Sequence, residues 1–188
     1  MTLAVHASTG LLVGVRQVLS PHRDPRPAGV QPDLMVMHNI SLPPDEFGGP
    51  WIERLFTGNL PPDLHPYFAE IHGMRVSSHV LVRRDGEILQ FVPFHERAWH
   101  AGVSTFEGRS ACNDFSIGIE LEGADELPYE VVQYSQAGAV IRALLGAYPT
   151  LDAQRLVGHS DIAPGRKTDP GSAFDWTRLR AALCIKKV

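Results

Sequence analysis

The chain has 188 residues, 44% of them hydrophobic and 20% charged, with a formal net charge of −4. That length suits one domain with a well-formed core, spanning 1–188, and is short for two. The acidic balance, without a basic run or a basic–aromatic stripe, excludes a nucleic-acid footprint, so any anionic ligand must meet local positive charge. No apolar run approaches the roughly 18 residues of a membrane span. The first residues, MTLAVHASTGLLVGVRQVLSPHRDPRP, have neither the basic n-region nor the long apolar h-region of a signal peptide. Cys112 and Cys184 form no C-x-x-C pair and read as two reduced thiols, so a cytoplasmic location is expected.

In chain order, residues 11–19 suggest a short strand before the turn-rich SPHRDPRPAG. Leu34–His38 is a continuous apolar run ending in His, the pattern of a buried strand, and a loop with Pro43–Pro44 follows over 41–49. Residues 51–56 fit one or two helical turns, and within 61–72 Leu64, Phe68 and Ile71 share a helical face. Ser78–Val82 and Ile88–Val92 flank Arg84–Asp85–Gly86–Glu87, a β-hairpin with Arg83 and Arg84 at its tip. Residues 95–115 lack periodicity and read as one long ordered loop, a kind that is usually functional. A strand is expected over 116–122 and the one long helix over 130–147, with Val132, Ala139, Ile141, Leu144 and Leu145 as its apolar positions. Residues 156–159 look like a strand end, and the Pro and Gly content of 156–170 argues against a helix there. A last helix spans 175–183, with Asp175 as N-cap. Interleaved strands and helices that include a hairpin imply a single α/β domain, a mixed central β-sheet flanked by helices.

Nine histidines are present, and most read as surface or packing residues: His6, His22, His65 and His72 in irregular or short helical sequence, His79 as a satisfied core residue in the hairpin. His95–Glu96–Arg97–Ala98–Trp99–His100 is one residue too long for the helical H-E-x-x-H zinc motif. Positions i and i+5 lie about 140° apart on a helix, so the imidazoles could not converge. His159 and Asp169 on a Pro/Gly-rich segment offer half of a metal site, and His38 is a candidate third ligand, one triplet among several that composition allows. His38, Glu120 and His159 all fall at or near predicted strand ends, where α/β sheets hold ligands. Glu120 is a carboxylate in an apolar strand, IGIELEG, and burying it is costly without a partner or a task. Lys167 stands two residues before Asp169 and so near any metal bound there.

Five stretches, VMHNISLPPDEFGGPWI, RVSSHVLVRRDGEILQFVPF, RAWHAGVS, CNDFSIGIELEG and GHSDIAPGRKTDPG, with the FDW that follows, occur in an order that resembles one family. It is that of the zinc amidases that include bacteriophage amidases and peptidoglycan recognition proteins, in its cytoplasmic 1,6-anhydro-N-acetylmuramoyl-L-alanine amidase (AmpD type) branch. The resemblance covers most of residues 10–180. It implies His38, His159 and Asp169 as Zn²⁺ ligands, and Glu120 and Lys167 as the catalytic pair. Asn39, Arg75 and Trp99 are implied contacts for sugar and peptide. Some relatives carry Arg where this chain has Ala111, so Arg109 is expected to substitute as a peptide-binding cation, with Arg166 and Lys167 near the pocket.

The implied reaction is hydrolysis of the amide between anhydro-N-acetylmuramic acid and L-alanine in a soluble anhydro-muropeptide, during peptidoglycan recycling. Glu120, ionised beside zinc and Lys167, would move the proton, and Lys167 would face the developing oxyanion. The partner is then a small molecule, with no nucleic acid and no membrane, and the chain is expected to be monomeric. Two other readings are a peptidoglycan recognition module without catalysis and a zinc peptidase acting on wall peptides.

Overall fold

The structure is a computed structural model and describes residues 3–184. Its strands are β1 Arg16–Gln17, β2 Arg23–Pro25, β3 Leu34–Ile40, β4 Val80–Val82, β5 Ile88–Gln90, β6 Glu96–Ala98, β7 Thr105–Phe106, β8 Arg109–Ser110, β9 Ser116–Glu122 and β10 Leu156–Gly158. Its α-helices are α1 Trp51–Phe56, α2 Pro66–Ile71, α3 Val131–Ala147, α4 His159–Ile162 and α5 Trp176–Leu183. Six strands form one sheet in the order β1-β5-β4-β9-β3-β10. Only the β4–β5 hairpin is antiparallel, and the other four pairings are parallel, so the sheet is mixed as expected.

The central strands β3 and β9 read as near-continuous apolar runs because helices and loops cover both of their faces. On one face, Met35, Met37, Ile117, Ile119 and Leu121 pack with Val140, Ile141 and Leu144 of α3 and Leu179 of α5. Those two helices approach closely at Gly138, where a Cβ would lie 2.8 Å from the Cβ of Ala182. The opposite face carries two separate clusters. Leu81, Leu89 and Phe91 meet α1 and α2 through Ile52, Phe56 and Phe68, while Leu34 and Val36 meet Ala101, Phe115 and Ile162. Side chains alternate across a strand, so His38 of β3 and Glu120 of β9 emerge on this second face, between the two clusters.

Several local expectations need correction. The strand expected in 11–19 shrinks to Arg16–Gln17, with Leu12 bridged to Val5. Segment 95–115 contains β6, paired with β2, and a two-residue hairpin β7–β8 turning at Glu107 and Gly108, both with positive φ. Strands of two or three residues carry no periodicity to read. In α3 the buried face runs through Gln133, Tyr134, Ala137 and Val140, and Val132 is exposed. Gln133 is buried because its Nε2 donates to the carbonyls of Val82 and Glu122, stitching helix to sheet. Arg83 is no exposed tip residue: its side chain is 8% exposed and pairs with Glu53 at 2.8 Å, Glu87 at 3.4 Å and Glu122 at 3.5 Å. The segment after β10 does open with a helical turn, α4, held by Asp161 accepting from the Gly158 N–H at 2.7 Å. Pro164 and Gly165 lie beyond that turn and end it. The Asp175 side chain caps α5, accepting from the Arg178 N–H at 2.9 Å.

Candidate metal centre and active site

Parallel register puts His38 directly beside Glu120 on the two central strands. On the other side of β3, Gly158 of β10 is level with Met37, so the next residue, His159, arrives beside His38. The chain then loops through Lys167 and returns with Asp169, whose carbonyl accepts from the Ser160 N–H at 3.0 Å. Three side-chain atoms converge: His38 Nδ1, His159 Nδ1 and Asp169 Oδ2 lie 3.0 Å from one another in all three pairings. Among the described residues these form a group of metal-ligating type, two buried and one half-buried.

The chemistry of the donors fits a metal ion. His159 Nε2 lies 3.1 Å from the Ala101 carbonyl, which can only accept, so a proton on Nε2 is satisfied there and Nδ1 is left to offer its lone pair to an ion. Burial pushes the His38 pKa down to about 4, against the opposing pull of Asp169, so its imidazole is neutral at pH 7. Burial works to raise the Asp169 carboxyl, but hydrogen bonding with His159 and His38 outweighs it and leaves an anion. Two imidazoles and one carboxylate are a donor set suited to zinc, with room for a fourth ligand.

Glu120 is 7% exposed, and its Oε2 is buried without a hydrogen-bond partner. Burial, then the Asp169 carboxylate, push its carboxyl well above the usual range, and Lys167 pulls the other way. In the chain alone, therefore, the ionised Glu120 expected from the sequence is disfavoured, and positive charge at the three-atom cluster is what would restore it. The cluster, Glu120 and Lys167 all open into one cavity of about 480 Å³. Leu55 and Phe56 of α1 and Tyr67 and Ile71 of α2 also line it.

Of the expected substrate contacts, Asn39 and Trp99 line this cavity. The Asn39 Nδ2 donates to Asp125 at 2.7 Å and to the Pro170 carbonyl at 3.1 Å, and so braces the segment that carries Asp169. Trp99 is held by its Nε1 donating to Asp24 at 3.1 Å, and the exposed Arg75 guanidinium lies 5.0 Å over its ring. Arg166 also lines the cavity, with its guanidinium donating to the Ala101 and Val103 carbonyls. Arg109 is not brought to the cavity: it pairs with Asp33 at 2.7 Å and sits over the Phe115 ring. Sequence reasoning set His100 aside with the near-miss motif. Its Nδ1 in fact lies 2.9 Å from His38 Nε2, a contact that spacing along the chain could not reveal.

The chain matches the model of the N-acetylmuramoyl-L-alanine amidase family over residues 28–172. A 1,6-anhydro-N-acetylmuramyl-L-alanine amidase, AmpD, of Escherichia coli (strain K12) is 64% identical over 174 residues, 93% of this chain and 94% of that protein. A crystal structure of a selenomethionine AmpD derivative superposes with a TM-score of 0.91 at 59% identity, covering 95% of this chain and 99% of the other. The amidase AmiD of E. coli, solved with the substrate anhydro-N-acetylmuramic acid-L-Ala-D-γ-Glu-L-Lys, superposes with a TM-score of 0.57 at 27% identity, covering 96% and 65%.

Proposed function

The chain belongs to the N-acetylmuramoyl-L-alanine amidase family, and from that premise we propose that it hydrolyses the amide joining the lactyl carbonyl of 1,6-anhydro-N-acetylmuramic acid to L-alanine. The observation that carries the reading is the meeting of three metal-ligating atoms with an unpartnered buried carboxylate, Glu120, at one cavity. His38, His159 and Asp169 hold the ion. Bound there, zinc supplies Lewis acidity toward water and the scissile carbonyl. Glu120 takes a proton from the attacking water as the C–O bond forms, and returns it to the alanine nitrogen as the C–N bond breaks. The products are a carboxylate on the sugar and a free peptide amine. Lys167 offsets the negative charge that grows on the carbonyl oxygen. Trp99 and Arg75 form the polar rim for sugar ring and peptide, and Asn39 holds the Asp169 segment and borders the substrate. The intended substrate is the soluble anhydro-muropeptide, handled in the cytoplasm during peptidoglycan recycling. No described helix is long and apolar enough to cross a membrane.

The test is product identity. Purified protein given anhydro-muramoyl-tripeptide should release intact tripeptide and anhydro-N-acetylmuramic acid, read by mass spectrometry. A cut between amino acids would replace this reading with a peptidase, and binding without a cut would replace it with a recognition module. Glu120→Ala should lose roughly 10²-fold or more in kcat while keeping its metal. Loss of the metal instead would remove Glu120 from proton transfer.

A further inference from the structure

One short segment, His100–Ala101, touches both candidate imidazole ligands on the side away from the cluster. The His100 ring meets His38 Nε2 at 2.9 Å, and the Ala101 carbonyl meets His159 Nε2 at 3.1 Å. We propose that this segment is a positioning element, holding the His38 and His159 rings by their Nε2 edges so that both Nδ1 atoms face the cluster and both rings are Nε2–H tautomers once an ion is bound. The inference rests on the metal-centred reading above for its use, but its geometry stands separately.

The directions of the hydrogen bonds follow from what each group can do. The Ala101 carbonyl only accepts, so His159 donates from Nε2. With an ion on its Nδ1, His38 donates from Nε2 to His100 Nδ1, which leaves His100 Nε2 to donate to Ser116 Oγ at 3.1 Å. The segment is held from behind. Asn113 Oδ1 accepts from the backbone N–H of His100 at 3.1 Å and of Ala101 at 2.8 Å, so one side chain sets both contacts. The half-buried Arg26 in turn grips the carbonyls of Asn113 at 3.2 Å and Asp114 at 2.9 Å. β9 leaves room for the ring by having glycine at 118, where a Cβ would stand 2.6 Å from His100 Cγ. Outer contacts of this kind orient metal-binding imidazoles and raise their basicity.

The full-length, zinc-loaded protein labelled with ¹⁵N-histidine provides the first readout. Long-range ¹H–¹⁵N spectra should show His38 and His159 as Nε2–H tautomers. In His100→Leu the His38 Nε2 proton should exchange faster with solvent while that of His159 is unchanged. Zinc affinity, measured by competition with a chromophoric chelator, should fall roughly 10- to 100-fold in the same variant. His100→Asn, whose Oδ1 can take the place of Nδ1, should recover most of that loss. An Nδ1–H tautomer at His38 in the wild-type chain would overturn the inference, a result that needs no variant to fold. So would a His100→Leu variant with wild-type zinc affinity. Failure of the metal-centred reading looks different: no zinc affinity in the wild-type chain, with the His38 and His100 rings still in contact by NOE in the metal-free protein.

Discussion

Gly118→Ala adds one methyl group at the tightest point behind the cluster. The backbone there needs no glycine conformation, since Gly118 is not among the positive-φ residues. Space is the obstacle. A Cβ would stand 2.6 Å from His100 Cγ, 2.7 Å from His100 Nδ1 and 2.8 Å from Ser78 Oγ. Ordinary carbon contacts fall at about 3.5–4.0 Å, so the ring must retreat by roughly 1 Å. Its retreat is opposed by the two bonds to Asn113 Oδ1 and by the bonds to His38 and Ser116. Overpacking of this sort costs about 1–3 kcal/mol, and the gain from removing glycine freedom in the unfolded chain returns about 0.4–1 kcal/mol. The expected net loss is about 1–2 kcal/mol, a Tm lower by roughly 2–8 °C in a chain of this size. Urea and thermal unfolding of the metal-free protein measure it. A variant as stable as wild type would refute the reasoning, because it would mean that His100 is not held where these contacts place it.

Lys167→Ala should lower kcat by roughly 10²-fold with metal content unchanged, read by steady-state turnover and metal analysis; near wild-type turnover would remove Lys167 from the oxyanion role. Glu120 makes the metal-free protein less stable as pH rises. Its folded carboxyl is held above the ordinary range, so its contribution is complete below that range and is lost as pH climbs through the raised value. Metal-free Glu120→Gln should therefore unfold at higher urea than wild type at pH 8 and match it near pH 4. Arg83→Met leaves the carboxylate of Glu122, 2% exposed, without its buried counter-charge and should cost about 3–5 kcal/mol in urea unfolding. A loss under 1 kcal/mol would show that the backbone N–H donors of Gly48 and Arg84 satisfy Glu122 by themselves.

The parts of the fold legible in the sequence are those whose signal is local and long enough to repeat. The apolar runs of β3 and β9, the Asp85–Gly86 turn and the Asp175 cap each announce themselves within a few residues. What was illegible depends on distant partners. β1 and β6 are strands because β5 and β2 lie beside them. Arg83 is buried because Glu53 of α1 and Glu122 of β9 close around it, with Glu87 of its own hairpin. The rotation of α3 follows from Gln133 reaching backbone carbonyls of the sheet, a polar contact that apolar periodicity cannot register.

The same division holds at the site. The Pro/Gly-rich segment offered His159, Lys167 and Asp169, strand ends and an odd buried carboxylate added His38 and Glu120, and the family resemblance singled out this triplet of ligands among several that composition allows. Register then brings these residues to one cavity. His100 was invisible because its task lies in a side-chain contact 62 positions away along the chain. Arg109 looked available on charge alone, but Asp33 and Phe115 already occupy it.

The most direct test of the account strips the protein of metal and follows cleavage of anhydro-muramoyl-tripeptide by mass spectrometry while zinc is returned. Cleavage at the lactyl–alanine amide should vanish on stripping and return in full at about one equivalent of zinc, and the His38→Ala variant should not recover. Undiminished cleavage by the stripped protein would contradict the claim that His38, His159 and Asp169 form the centre of the reaction.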